Sequence, residues 1–201
     1  MEVNRRTQTE RSAATRAALV QAARSLFAQH GFSGVSTESI VAAAGVSRGA
    51  LYHQFAGKTK LFEAVYEAIE EDLARELEGL IAAAGVSDPI EVMELGTSAW
   101  LTACGEQEVQ QIVLLDGPAV LGWARWREIG MRYALGLIEG LLSHAIEVGR
   151  IPAQPVHALS HVLVGALDEA GLYIARAEDR TVASEEMRAV IATLMAGLTG
   201  N

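Results

Sequence analysis

Residues 36–55, STESIVAAAGVSRGALYHQF, decide the fold. They read as two short helices hinged at Ala44-Gly45-Val46. Ser36 or Thr37 caps the first helix, because a short hydroxyl side chain accepts a hydrogen bond from an orphan N–H of the first turn. Ile40, Val41 and Ala44 then share an inner face, and Gly45 supplies the tight turn, where a side chain would be strained. Ser47 caps the second helix, and Leu51 and Phe55, one turn apart, anchor it inward. The pattern is a helix-turn-helix, with Arg48, Gly49, Tyr52 and His53 on the outward face.

The charge around this segment is unusual for the chain. The 201 residues carry a net charge of −9. Residues 1–60 nevertheless hold eight basic side chains (Arg5, Arg6, Arg11, Arg16, Arg24, Arg48, Lys58, Lys60) against three acidic ones (Glu2, Glu10, Glu38), a net +5. The remainder is therefore −14. A basic end on an acidic body points to a nucleic-acid module, with the acidic part repelling DNA elsewhere.

Further along the chain the apolar residues keep a helical period. Leu19, Ala22, Ala23, Leu26 and Phe27 form one stripe, which predicts a helix from about Thr15 to His30, stopped by Gly31. A long helix begins near Lys58 and continues to about Ala83, a strut between a small head and a larger body. The body reads as helices over about 89–105, 108–116, 122–148, 156–177 and 184–198. The shorter 108–116 helix ends at Gly117-Pro118. No alternating strand pattern and no internal repeat occurs, so the predicted fold is all-α with about nine helices. The head is 1–58, including a disordered basic arm over 1–12, and the body is 59–201.

Hydrophobic residues make up 50% and charged residues 20% of the sequence, the balance of a globular chain. No stretch of about 18 apolar residues predicts a membrane span. The N-terminal MEVNRRTQTER lacks an apolar signal core, so a cytoplasmic location is expected. Cys104 is the single cysteine and cannot form an internal disulfide. No paired acid and base, phosphate loop or metal cluster is visible, so neither an enzyme nor a bound cofactor is expected.

The major groove of B-DNA admits an α-helix, which presents its N-terminal residues to the base edges. Here these are Ser47, Arg48, Gly49 and Ala50. Arg48 is the candidate for a bidentate contact to guanine, and Ala50 suits a thymine methyl group. Thr37, Tyr52, His53 and Lys58 are placed for phosphates, which set register and carry little sequence information. Arg5, Arg6 and Arg11 on the arm add charge.

Residues 15–66 resemble the DNA-binding head of the TetR family of bacterial one-component regulators. The matching elements are LFAQHGF, then T-x-x-x-I, then AGVS-x-G-x-LY-x-x-F, then a lysine followed by L-F. The resemblance implies a homodimer paired through the last two helices (about 156–177 and 184–198). It also implies an unidentified small-molecule effector in a body pocket, and repression of a palindromic operator relieved by that effector. The sequence departs from the family pattern at Val41, at Ala42 and Ala43 where polar residues are usual, and at Thr59 and Lys60, which replace an acidic pair.

Trp100, Cys104, Trp123, Trp126, Met131 and Tyr133 are candidates to line such a pocket, since aromatic walls with a few polar tips suit small molecules. Ordinary core packing is the alternative for each. Trp123 and Trp126 cannot both point fully inward at their spacing. Asp168-Glu169 interrupts the apolar GALDEAGLYIA, and a buried carboxylate there needs a partner. An arginine, His161 at a dimer interface, or a cationic or hydroxylated effector would serve; a solvated helix face is the other reading. His157 and His161 have the i, i+4 spacing of a metal pair, with no third ligand at a matching spacing. Cys104 has no base signature beside it and reads as a buried, inert thiol. Two other classes remain open: a helical enzyme or carrier that contains a helix-turn-helix, and a regulator whose body only dimerises.

Overall fold

The computed structural model describes residues 8–199. Nine α-helices and one π-helical segment occur among the described residues, and no strand. The helices are α1 (Gln8–His30), α2 (Thr37–Ala44), α3 (Arg48–Gln54), α4 (Lys58–Ala84), α5 (Pro89–Ala103), α6 (Gly117–Leu121), α7 (Trp123–Glu147), α8 (Val156–Arg176) and α9 (Arg180–Thr199). The π-helical segment is Val109–Asp116. The all-α expectation therefore holds, with several changes at element ends.

The first change concerns the arm. α1 begins at Gln8 and not near Thr15, so Arg11 stands on a helix. Its buried side chains Leu19, Ala23 and Phe27 recur at four-residue intervals, the inner stripe of that helix. Arg5 and Arg6, the rest of the expected arm, lie outside the described residues.

The head is built around three phenylalanines. The Phe27, Phe32 and Phe62 rings lie 5.3–5.7 Å apart, two of the pairs edge-on. Such pairs contribute about 1 kcal/mol each beyond their buried area. Ile40 of α2, Leu51 of α3 and Phe55 just after α3 complete this core. The buried cluster does not stop at the 58/59 boundary. It runs through Leu61, Phe62, Val65 and Ile69 of α4 into Ile112, Trp126 and Ile129 of the body. A second cluster, with Ile90, Met93, Leu142, Ala145, Ile191 and Met195, fills the far end. Head and inner body are thus packed as one unit, with α4 (27 residues, about 40 Å) as their common axis.

The second change concerns 108–121. A plain α-helix was expected over 108–116, ending at Gly117-Pro118. Instead the backbone is π-helical over Val109–Asp116, and Gly117-Pro118 opens α6. Proline has no N–H, and its ring collides with the carbonyl four residues back in a regular α-helix. A widened turn ahead of Pro118 removes that conflict. Gly117 adds a packing reason: a Cβ there would lie 2.7 Å from Cδ1 of Trp126. The remaining differences are at ends: α5 finishes at Ala103, and α9 begins at Arg180. α8 is long and apolar enough to match a membrane span by composition. It packs against α5, α7, α9 and the π-helical segment.

Candidate functional site

At the head, the helix-turn-helix forms as the sequence dictates. Ser36 accepts from the Ser39 N–H at 3.0 Å, and Ser47 from the Ala50 N–H at 3.2 Å. Gly45 takes φ +66°, a left-handed turn that L side chains rarely adopt. Arg48, Gly49, Tyr52 and His53 are exposed, while Thr37 and Ala50 are half-buried. Ser47 is exposed at the tip of α3. Arg11 and His53 line one shallow groove between α1 and α3, so the basic start of α1 adjoins α3.

Two side chains of this face are already engaged. The Arg48 guanidinium lies 3.2 Å from Glu38 of α2 and 5.6 Å from the Tyr52 ring centroid. Both partners of the Arg48–Glu38 pair are largely exposed, so the pair is weak and separable. Lys58 is held much more firmly. Its ammonium donates to the Phe32 and Val35 carbonyls, both at 2.7 Å, and sits 4.0 Å from the Phe32 ring centroid. Two of its three donors are spent on the turn between α1 and α2. The expected phosphate contact is therefore secondary to a structural one, and one N–H remains for a phosphate.

The body holds a partly open cavity of about 920 Å³, bounded by α4, α5, α7, α8, α9 and the π-helical segment. It lies where the core is interrupted, with Tyr66, Val113 and Trp126 of the inner cluster on its wall and Met93, Ile191 and Met195 of the outer one. Four of the seven expected pocket residues are on that wall: Trp100, Trp126, Tyr133 and Asp168. The indole N–H groups of Trp100 and Trp126 donate to the Leu167 and Val113 carbonyls, both at 2.9 Å. These two rings consequently offer the cavity only apolar surface.

Trp123, Cys104 and Met131 are not on the wall. Trp123 is 60% exposed and stacks at 4.9 Å on Trp126, which is buried. The spacing conflict is thus resolved by turning Trp123 outward. Cys104 is fully buried behind the wall, and burial pushes its thiol up to about 12. Deprotonation at neutral pH is negligible there, which makes the thiol inert. His157 makes an exposed contact of 2.6 Å with Glu139 and rests against the His161 ring.

Asp168 is paired with Arg127 of α7, and the Arg127 guanidinium also reaches the His161 carbonyl. Burial nevertheless raises the Asp168 carboxyl to about 6, with Arg127 opposing the rise. The residue that the sequence did not disclose is Glu70. It lines the same cavity, and burial, with the Asp168 charge adding to it, pushes its carboxyl up to about 7. The Tyr66 hydroxyl is its hydrogen-bond partner and also lies 3.4 Å from the Trp126 carbonyl. In the run EAIEEDLARE, Glu70 has the same identity and setting as the solvated acids beside it, so no local signal marks it.

Head and cavity share a joint. Arg24 of α1 donates from Nε and Nη2 to the two carboxylate oxygens of Glu108, at 2.8 and 2.5 Å, and from Nη1 to Asp72 of α4 at 2.5 Å. Asp116 accepts from the Phe32 N–H at 2.6 Å, and Gln107 donates to the Ala28 carbonyl at 3.2 Å. These groups lie along the π-helical segment and its lead-in, whose Glu108, Val109 and Val113 also line the cavity.

Comparisons with known proteins match the head and the body of the chain to one family. Residues 19–65 match the family model for bacterial regulatory proteins of the tetR family. Residues 90–198 match the model for a tetracyclin repressor-like C-terminal domain. The Transposon Tn10 TetC protein of Escherichia coli is 25% identical over 162 residues, 81% of each chain. The HTH-type transcriptional regulator CymR of Pseudomonas putida is 38% identical over 73 residues, 36% of each chain. The crystal structure of a TetR-family transcriptional regulator from Pectobacterium atrosepticum superposes with a TM-score of 0.84 at 30% identity, covering 98% of this chain and 99% of that one.

Proposed function

This chain belongs to the TetR family and is a DNA-binding transcriptional regulator, and we propose that it represses a palindromic operator as a homodimer and leaves it when a small molecule fills the body cavity. The observation that carries the ligand response is the shared joint. The π-helical segment with its lead-in residue Glu108 lines the cavity on one side and grips α1 and the α1–α2 turn on the other. A ligand that reshapes the wall at Val109 and Val113 therefore acts on the head directly. A body that served only for dimerisation would need no apolar cleft of about 920 Å³ between its helices.

Dimerisation through the last two helices has its own support. Val162 and Tyr173 on α8, and Val182, Val190 and Leu194 on α9, are all at least 45% exposed. The α9 residues follow a four-residue spacing, one face of that helix. Exposed apolar side chains gathered on two adjacent helices mark an interaction surface. Two heads related by the dimer axis would enter successive major grooves about 34–36 Å apart. Arg48 reads a base; Thr37, Ser47, Tyr52, His53 and the free donor of Lys58 meet phosphates; Gly49 and Ala50 permit close approach. Such a protein works where the chromosome is, in the cytoplasm. The family and fold are those of transcriptional regulators and not of enzymes.

The mechanism is a coupling of two equilibria. A ligand shifts the protein only by its differential affinity for the DNA-competent and DNA-incompetent states. DNA and ligand must weaken each other by the same factor. A gel-shift against DNA upstream of the protein's own gene, at low salt, is the test. The expected result is retarded dimer that Arg48→Ala weakens. Complete absence of DNA binding by the intact protein would sink the proposal.

A further inference from the structure

We propose that the body cavity is selective for an apolar organic cation, whose charge is balanced by the Glu70 carboxylate. The inference rests on the effector reading above and names the chemical class of that effector.

The charges on the cavity wall are unequal in their commitments. Its basic side chains are Arg24 and Arg127. Arg24 is spent on Glu108 and Asp72, and Arg127 on Asp168. Glu70 has no cation beside it. Its surroundings are the Tyr66 hydroxyl on its own helix and the Asp168 carboxylate from α8. Arg127 and the Tyr133 phenol on α7, and the Cys104 thiol after α5, complete the titratable or charged groups near it. Arg127 is held by Asp168, and both the phenol and the thiol are shifted toward their neutral forms by burial. When Glu70 ionises, its charge therefore has no cation on the wall to balance it, while the other unpaired wall carboxylates, Glu76, Glu78 and Glu106, are exposed to solvent.

A buried charge without a partner is costly, and a ligand that supplies the partner recovers that cost. An anionic ligand meets the opposite situation, since no free basic group among the described residues faces the space. The rest of the wall fixes the remainder of the ligand. Leu73, Leu77, Met93, Leu137, Ile138 and Leu167 make it largely apolar. The Trp100 and Trp126 ring surfaces and Tyr133 can also attract a cation. A volume of about 920 Å³ suits a bulky organic body and is far larger than an inorganic ion needs. A ligand with a fixed positive charge binds the ionised form of Glu70, so binding expels a proton whenever Glu70 is protonated.

The experiment uses tetraphenylphosphonium and tetraphenylborate, ions of closely matched shape and opposite charge. Neither titrates, so any pH dependence belongs to the protein. Binding to the full chain is followed by calorimetry. Tetraphenylphosphonium should bind at least about tenfold more tightly than tetraphenylborate. Its affinity should rise as pH rises through about 7, where Glu70 ionises. Glu70→Gln should lose about tenfold in affinity, lose the pH dependence, and keep DNA binding, which reports that the variant is folded. Equal binding of the two ions, a preference for the borate, or no phosphonium binding at millimolar concentration overturns the inference, and these comparisons need no variant. An unchanged pH profile in a folded Glu70→Gln protein overturns it as well. DNA binding measured on the same sample without ligand keeps the two readings apart. Retained DNA binding with no charge selectivity removes only the cation, whereas loss of DNA binding removes the regulator itself.

Discussion

Three side chains separate what an amino acid is from what its surroundings make it. Arg48 carries a guanidinium at the tip of α3, but Glu38 sits 3.2 Å away and must be displaced before a base can be read. Arg48→Ala should weaken operator binding by about tenfold and relax preference at one base position, as measured by fluorescence anisotropy on operator and scrambled DNA. Glu38→Gln should do the reverse for affinity, strengthening binding to both DNAs, because the competitor is gone. Lys58 looks the same as Lys60 in sequence, yet Lys58 closes a turn and Lys60 pairs with Glu63 at 2.5 Å. Lys58→Met leaves two carbonyls without their donor and should cost about 1–3 kcal/mol in chemical denaturation. Glu70 makes a pH prediction. Its folded-state value, about 7, lies above the usual 4.5. The folded protein therefore holds the Glu70 proton more tightly than the unfolded chain. The stabilisation is complete below about 4.5 and is lost as pH rises through about 7. Glu70→Gln should equal the parent protein near the lower value and exceed it at alkaline pH by about 2–3 kcal/mol. Denaturation series at both ends of that range check it.

Among the elements, the π-helical segment carries most of the functional argument. Its wide turn follows from Pro118 and from the close approach of Gly117 to Trp126, so it is a consequence of local chemistry. What it accomplishes depends on position, since it joins the cavity wall to the head through Glu108 and Asp116. Arg24→Met should weaken this joint and reduce stability by about 1–2 kcal/mol, because it removes a two-point contact with a carboxylate. Its sharper signature is functional. The variant should still bind operator, while the fold-change in DNA affinity caused by saturating ligand shrinks toward one. Titrations of DNA binding with and without ligand give that ratio directly. Equal ratios in the parent and the variant would remove the segment from the coupling. α2 and α3 behave differently, because their ends are fixed by their own residues. Ser36, Gly45 and Ser47 cap them as the sequence alone requires.

For the molecule as a whole, charge distribution and symmetry govern behaviour. α2 presents Ala42 and Ala43 outward and offers few polar contacts to DNA. Affinity must then come largely from phosphates met by the basic end of an otherwise acidic protein. Operator binding should accordingly fall steeply and linearly on a log–log plot against salt, as released counterions require. A flat response would mean that base contacts dominate. The exposed faces of α8 and α9 give a second whole-molecule prediction. Val190→Asp should shift the protein from dimer to monomer in sedimentation and abolish tight operator binding, with helicity retained by circular dichroism. The continuous buried cluster through Phe62, Val65 and Ile112 couples these properties, because the head cannot turn freely on the body.

The sequence by itself determined the all-α class, the helix-turn-helix and its caps, the basic end and the family of the head. These are set by short-range spacing: apolar residues at helical period, hydroxyls before helices and glycine at a left-handed turn. It also singled out Trp100, Trp126, Tyr133 and Asp168, whose size or polarity stands out against their neighbours and which all line the cavity. Only the tertiary structure decided the rest. It turned Trp123 outward and set Cys104 behind the wall. It spent Lys58 on a turn and picked Glu70 from a row of similar acids to line the cavity. Those outcomes depend on which distant helices pack beside a residue, and burial by residues far along the chain fixes both a side chain's direction and the energy of its charge.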